Sequence, residues 1–361
     1  MSSDQTPPAP IKRSFLRKAM LWLVAIVLVL AVVLFVGLLS MVGRTVIAPA
    51  WIQSAVSERI KVAAPQLEIQ LGEIEFTLDD NWGPQALVRD VAVRNLQGEE
   101  IVAFSEAGAK LALRPLARGD IKPKSISISG VFATLLRDID GNMSLRGGSA
   151  LSAPSKEAAN LPALIEQLDA AFELPELSAL SSAEIQGLTL RYEDTRSQRV
   201  WVVDGGRLRL GRKSGVLDLS ADLALLSGGS SVATLEANYT SELGDKRAEF
   251  GLNISDIAAQ DIALQSPALG WLSVLRAPIS GALRSGVLTD GTFAPLSATL
   301  QIGEGVVQPT DAAKPIPFSS ARSYLTYDPK RQTIDFDELS IKSKWLTVNT
   351  DGQAVLSGLD N

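Results

Sequence analysis

Cysteine and histidine are both missing from all 361 residues. Without histidine the chain lacks the commonest general base and the commonest zinc ligand, and no Ser-His or Cys-His catalytic pair can form. Without cysteine there is no disulfide and no thiolate chemistry, which fits an oxidising compartment where stray thiols are a liability. Positive charge is also short. The formal net charge is −6, which argues against nucleic acid as a partner. No G-x-S-x-G elbow and no phosphate-binding P-loop occur, and Gly303-Glu304-Gly305 starts like a dinucleotide fingerprint but lacks the third glycine. Acidic pairs such as Glu99-Glu100 fit a solvated face. Asp138-Ile139-Asp140-Gly141-Asn142 has carboxylates but not the spacing of a calcium loop, and reads as a hairpin turn. The expectation is a non-enzyme with no cofactor and no metal.

A long apolar run is present. Ala19–Gly43 reads AMLWLVAIVLVLAVVLFVGLLSMVG and holds no charge. About twenty apolar residues span a bilayer as a helix, the form that pairs every backbone polar group internally. Lys12, Arg13, Arg17 and Lys18 precede the run and only Arg44 follows closely, which sets the N-terminus in the cytoplasm and the rest across the membrane. A cleaved signal peptide would have a shorter apolar core, and Leu39-Ser40-Met41 is a poor cleavage site. The proline-rich first ten residues read as a disordered tail.

After the anchor, Pro49-Ala50-Trp51 opens a helix in which Ile52, Ala55, Val56 and Ile60 recur at helical spacing until Pro65. It is expected at the membrane surface or as a cap on the strands after it. From Leu67 the period changes to two. Leu67, Ile69 and Leu71 alternate with polar residues, and after Gly72 so do Ile74, Phe76 and Leu78. Further strands are expected at 86–95, 100–104, 109–113, 121–129 and 131–137. Residues 147–160 are rich in Gly, Ser and Ala and read as a linker. Residues 161–172 can form a helix striped by Leu161, Leu164, Ile165, Leu168 and Phe172, as a lid or a partner-binding element. Strands resume at Ala183 and continue to Leu356, interrupted by one short helix over 266–275. Alternating pairs include Leu188 and Leu190, Val200 and Val202, Leu208 and Leu210, and Leu223 and Leu225.

Weak repeats run through this region. The segments at Tyr192, Tyr239 and Tyr327 each lead through a polar turn into a second strand. An Ile-x-Gly step recurs at Ile128-Ser129-Gly130, Ile185-Gln186-Gly187 and Ile279-Ser280-Gly281. Together they favour hairpins stacked along an elongated sheet. Such a sheet has one apolar face, smooth because aromatics are only 6% of the chain. From the pattern alone that face is either a closed core or an open trough.

Order and texture resemble the AsmA-like superfamily of bacterial envelope proteins, with its YhdP- and TamB-type members. The resemblance rests on the basic tail and anchor, on Ala50–Ala63, and on Leu67–Leu78. It continues through Leu116-Ala117-Arg118-Gly119-Asp120-Ile121, Ile126-Ser127-Ile128-Ser129-Gly130-Val131 and the Tyr192 and Tyr327 hairpins. It implies a mainly β fold: an N-terminal transmembrane helix, then an elongated, curved antiparallel β-sheet groove with a chorein-like N-terminal module and a few short helices. The expected layout is a cytoplasmic tail over 1–18, a transmembrane helix over 19–43 and a periplasmic chorein-like module over 44–146. A flexible insertion with a short helix comes next over 147–182, then continuing groove repeats over 183–361. Groove-facing candidates are Leu67, Ile69, Ile126, Ile128, Leu190, Tyr192, Leu252, Ile334 and Phe336.

The implied partners are phospholipids, the bacterial inner membrane and an outer-membrane or periplasmic protein. The implied role is phospholipid transport between the two membranes. The rival is an assembly factor for outer-membrane proteins that pairs clients with an exposed strand edge. A membrane-anchored hydrolase, the third reading, is weakened by the missing motifs. YhdP-type members are longer. About twenty strands at roughly 4.8 Å each would extend about 100 Å, and no cap is evident at Gly358-Leu359-Asp360-Asn361. A truncated product and docking onto another groove both stay open.

Overall fold

The structure is a computed structural model that describes residues 45–355 apart from 64, 66, 79–82, 117, 119, 121, 140–142, 146–171, 173, 227–231, 265–266 and 311. The expected tail, transmembrane run, linker and, except for Phe172, the 161–172 helix lie outside the described residues, as does most of the Asp138–Asn142 turn. Among the described residues no helix is long and apolar enough to cross a membrane.

Among the described residues the fold is mainly β, with one large mixed sheet and a few short helices. The first half holds β1 (Val46–Ile47), β2 (Leu67–Gln70), β3 (Ile74–Leu78), β4 (Pro84–Asn95), β5 (Glu100–Leu111), β6 (Pro123–Arg137), β7 (Met143–Leu145), β8 (Ser182–Asp194) and β9 (Arg199–Lys213). The second half holds β10 (Val216–Leu226), β11 (Val232–Glu242), β12 (Ala248–Ala258), β13 (Leu275–Arg276), β14 (Pro278–Val287), β15 (Leu296–Ile302) and β16 (Gly305–Val307). It ends with β17 (Ile316–Phe318), β18 (Ser320–Asp328), β19 (Thr333–Lys342) and β20 (Thr347–Val355). The helices are α1 (Ala50–Ala63), α2 (Leu113–Leu116) and α3 (Ala259–Ala263), with 3₁₀ turns at Pro175–Leu177 and Pro267–Val274. The α1 bounds fit the Pro49 start and Pro65 stop. The side chains of Ile52, Ala55 and Ile60 lie outside the description.

Among the described residues seventeen strands form the main sheet. From β4 the pairing runs through β5, β6, β8, β9, β10, β11, β12, β14, β15, β18 and β19 to β20. On the other side of β4, β2 and β3 share one lane, and β1 pairs outside β3. The sheet extends roughly 60 Å across its strands at about 4.8 Å per lane. That is shorter than the sequence estimate of about twenty strands side by side, because among the described residues β2 and β3 share a lane, β7 pairs only with the end of β6, and three strands lie outside the main sheet. Three more short strands form a separate sheet in the order β13-β16-β17.

The antiparallel expectation fails at one place: β6 and β8 are parallel, with Ile126 opposite Ala183 and Leu135 opposite Tyr192. A parallel neighbour needs a crossover of a dozen residues or more. The connection over 138–181 supplies that length, where every other lane is reached by a hairpin or a shorter excursion.

Register decides which side chains share a face. One cross-strand row reads Ile74, Val88, Ala107, Ile128, Ile185, Leu208, Ala221, Ala237, Leu252, Leu283, Ala298, Leu325 and Phe336, each opposite the next. Every member is apolar. One residue along each strand, the row on the other face reads Ser127, Glu184, Arg209, Ser220, Asn238, Gly251, Arg284, Ser297, Thr326 and Asp335. There Arg209 reaches Asp222 at 2.7 Å and Glu184 at 3.8 Å. From β6 to β19 the sheet is two-faced.

The strands bend along a line. Asp90 (φ 48°), Gly130 (φ 64°), Gly187 (φ 61°) and Gly205 (φ 67°) lie next to one another across β4, β6, β8 and β9, with Ser105 of β5 between the first two. Each left-handed residue interrupts the pleat. The inward apolar residues on either side then sit three apart instead of two: Val88 and Val91, Ile128 and Val131, Ile185 and Leu188. Asp256 (φ 56°) does the same between Ile254 and Ile257 of β12. Two of the three Ile-x-Gly repeats are such steps. The third, at Gly281, has no left-handed residue and instead pairs with Ile254 beside the Asp256 irregularity. Irregular residues of this kind bend a strand and raise its twist.

The bend has a consequence for stability. A β-carbon on Gly130 would meet Ser105 Oγ at 2.5 Å, on top of the positive φ. Gly130→Val should therefore lose roughly 2–4 kcal/mol in urea unfolding. Gly98→Ala, at a hairpin with open space around it, should lose about 1 kcal/mol from backbone strain alone.

Candidate functional site

The apolar face forms a cavity of about 590 Å³ where β6, β8 to β12 and β14 come together. Leu135, Leu190, Tyr192, Trp201, Val203, Leu223, Leu225, Leu235, Leu252, Ile254 and Leu283 line it. The volume is in the range of small-molecule sites. The lining comes from strand alternation, so each side chain is fixed by the ladder beneath it. Tyr192 and Trp201 stack within the lining, with ring centroids 5.4 Å apart at 26°. A helical plug adds to the wall. Ile262 of α3 and Leu269 of the following 3₁₀ turn face the cavity. Behind them Ala259, Ala263, Leu272, Leu275, Ala277, Ile279 and Phe318 make a buried cluster.

The plug is the only large patch of the apolar face covered by a second layer among the described residues. A smaller cover, Phe172, Leu177 and Leu180, packs over Leu210, Leu217 and Ile126 at the opposite strand ends. Elsewhere no second layer covers the face among the described residues. In the thirteen-residue row only Ile74 and Ala298 are buried, and the others are half-buried. A closed sandwich would bury all of them. Each half-open Leu or Ile forgoes part of the roughly 1.5–3 kcal/mol that full burial contributes.

Polar groups gather at the β8–β9 turn beside the cavity. Asp194 is 1% exposed. Its Oδ1 accepts the backbone N–H groups of Arg196 (3.0 Å) and Ser197 (3.4 Å), and Arg137 Nη1 lies 3.7 Å from Oδ2. Arg199 reaches Asp261 of α3 at 3.4 Å, and Arg196 donates to the Leu264 carbonyl at 3.0 Å. These contacts tie the β8–β9 turn to the plug.

The structure separates the sequence-derived candidates. Leu190, Tyr192 and Leu252 line the cavity. Ile128 and Phe336 share the row of Leu252, and Ile69 joins Leu190 through Val93, Val102 and Ala133. Ile126 packs beneath Leu177 and Leu180. Ile334 sits opposite Tyr327, and Leu67 opposite Asn95 at a strand end. None of these last six lines the cavity.

The Val200 and Val202 alternation is real but lies on the outer face, where Val200 is 38% exposed. The inward pair is Trp201 and Val203, opposite Tyr192 and Leu190. The register with Tyr192 was the available signal. The α3 plug had none, because Ala259-Gln260-Asp261-Ile262-Ala263 is too short for a periodicity. The chain matches no protein-family model, no curated protein and no solved structure.

Removing the Asp194 carboxylate leaves Arg137 facing a buried hole and two turn amides unpaired. Asp194→Ala should lower the unfolding free energy by about 3 kcal/mol. Asp222→Ala, which removes an exposed pair with Arg209, should cost less than about 1 kcal/mol. Equal losses in denaturant titrations would contradict this placement.

Proposed function

We propose that the protein is a membrane-anchored lipid carrier whose β-sheet trough holds acyl chains and supports phospholipid movement between the inner and outer membranes of a bacterial envelope. One observation carries the reading: the continuous apolar row from Ile74 to Phe336 that stays half open along most of its length. An uncovered apolar face this long marks a binding surface in a stable protein. Acyl chains suit it, because the row offers length, no charge and no specific polar partner. The headgroup would stay in water at the β8–β9 turn beside Arg199 and Arg196. Transfer along the trough is passive, so no catalytic group is required.

In this carrier residues 19–43 form a single transmembrane helix and the bulk of the chain is periplasmic. Residues 44–146 are a chorein-like module, and the sheet is an AsmA-like groove. A second reading has its own observation. The last strand, β20, has exposed residues along nearly its whole length and no partner on its outer side among the described residues. A client strand of an outer-membrane protein could add there.

Full-length protein offered a phospholipid with a photoactivatable acyl terminus should label peptides of β8 to β12, and Leu190→Asp with Leu252→Asp should remove that label while the fold survives. Lengthening the acyl chain by two carbons should tighten binding about tenfold, at about 0.8 kcal/mol per methylene. Label confined to residues 19–43 would sink the carrier reading. Protection of β20 amides by an unfolded outer-membrane protein, without lipid labelling, would favour strand addition.

A further inference from the structure

The charge of the chain is unevenly placed. Residues 110–124 contain Lys110, Arg114, Arg118, Lys122 and Lys124 against one acid, Asp120, in a chain of net charge −6. The segment is the β5–β6 connection, and hydrogen bonds tie several of its described residues together. Ala112 N–H bonds the Lys122 carbonyl at 2.9 Å, and Arg118 and Asp120 N–H both bond the Pro115 carbonyl. Its neighbours extend the patch. Ser181 N–H bonds the Lys124 carbonyl and Arg212 N–H bonds the Ser181 carbonyl, which brings the exposed Lys213 alongside. Two large apolar side chains stand out of the same rim, Leu113 at 54% and Leu174 at 50% exposure.

The chain enters the sheet at this rim. Val46 pairs with Phe76, so residue 45 lies opposite Thr77, and Thr77 leads through Gln85 to Lys110. The forty-four residues before it, with their uncharged run 19–43, therefore deliver the sheet to the bilayer with the basic rim next to the point of entry.

We propose that this rim, from Lys110 to Lys124 with Lys213, docks on an anionic bilayer, with Leu113 and Leu174 set into the headgroup layer. The trough then lies along the membrane surface over its first lanes instead of standing on it end-on. Basic residues near an anionic surface attract it, and apolar side chains at the same level add burial. The opposite rim of the same lanes, at the β4–β5 turn, carries Leu96 beside Glu99 and Glu100 and suits water. The proposal rests on the membrane-anchored reading.

The test uses the absence of native cysteine. Full-length Leu113→Cys, Leu96→Cys and Ala31→Cys, each with a fluorophore on the new thiol, are reconstituted in phosphatidylcholine vesicles with and without 30% phosphatidylglycerol (roughly the charge density that supports such docking). The vesicles carry a lipid-borne quencher. The Leu113 label should be quenched only with the anionic lipid, and the Leu96 label in neither.

Arg114→Glu with Lys122→Glu should undo the quenching. Neutralising one basic residue should weaken docking about fivefold, and raised salt should do the same. A Leu113 label that stays unquenched in anionic vesicles, or is quenched equally in neutral ones, overturns the proposal. The Ala31 label reads the anchor separately: an unquenched Ala31 label refutes anchoring, whichever way the Leu113 label responds.

Discussion

Cross-strand register is the constraint on which the rest of this structure depends. An antiparallel or parallel ladder fixes which residues share a face, and a slip of one position would send every apolar side chain to the other side. Here the ladder keeps thirteen apolar residues in line across thirteen strands. The opposite face is held by polar contacts such as Arg209 with Asp222 and Glu184. Neither face alone would specify the register. Together they make any one-residue shift expensive, because it would bury Arg209 and Glu184 while exposing Leu208 and Ile185.

The bend follows from the same ladder. An uninterrupted strand of twelve to fifteen residues would give a merely twisted ribbon. Left-handed residues at Asp90, Gly130, Gly187 and Gly205 reset the pleat at the same level in neighbouring strands. The apolar residues on both sides of the step therefore remain on the inner face. Curvature concentrates the inner side chains around Leu190, Trp201 and Leu252, while the plug and the Phe172–Leu180 segment cover only parts of the surface. An incomplete cover lowers the stability available from burial and leaves an apolar surface exposed.

Polar features sit at the rims, away from the apolar rows. The Asp194 and Asp261 contacts organise the β8–β9 turn on one rim, and the Lys110–Lys124 turn makes the other rim basic. In the proposed carrier, the first would hold that turn in shape beside an acyl chain and the second would set the tilt of the trough on the bilayer. Separation of the two follows from strand direction, since loops can occur only where strands end.

Much of this was written in local sequence. Period-two alternation is a property of neighbouring residues, so the strands, their mostly correct inward phase and the α1 boundaries at Pro49 and Pro65 could be read directly. Ile128, Leu190, Tyr192, Leu252 and Phe336 fell on the apolar face for that reason. The repeated Ile-x-Gly step was visible too, although its meaning as an aligned bend was not, because alignment depends on which strands are neighbours. Tertiary structure alone decided four things: the parallel β6–β8 pairing, the inward turn of Trp201 in place of Val200, the α3 plug and the meeting of the basic turn with the chain entry. Each depends on contacts between residues distant in sequence, whose free energy no local pattern encodes.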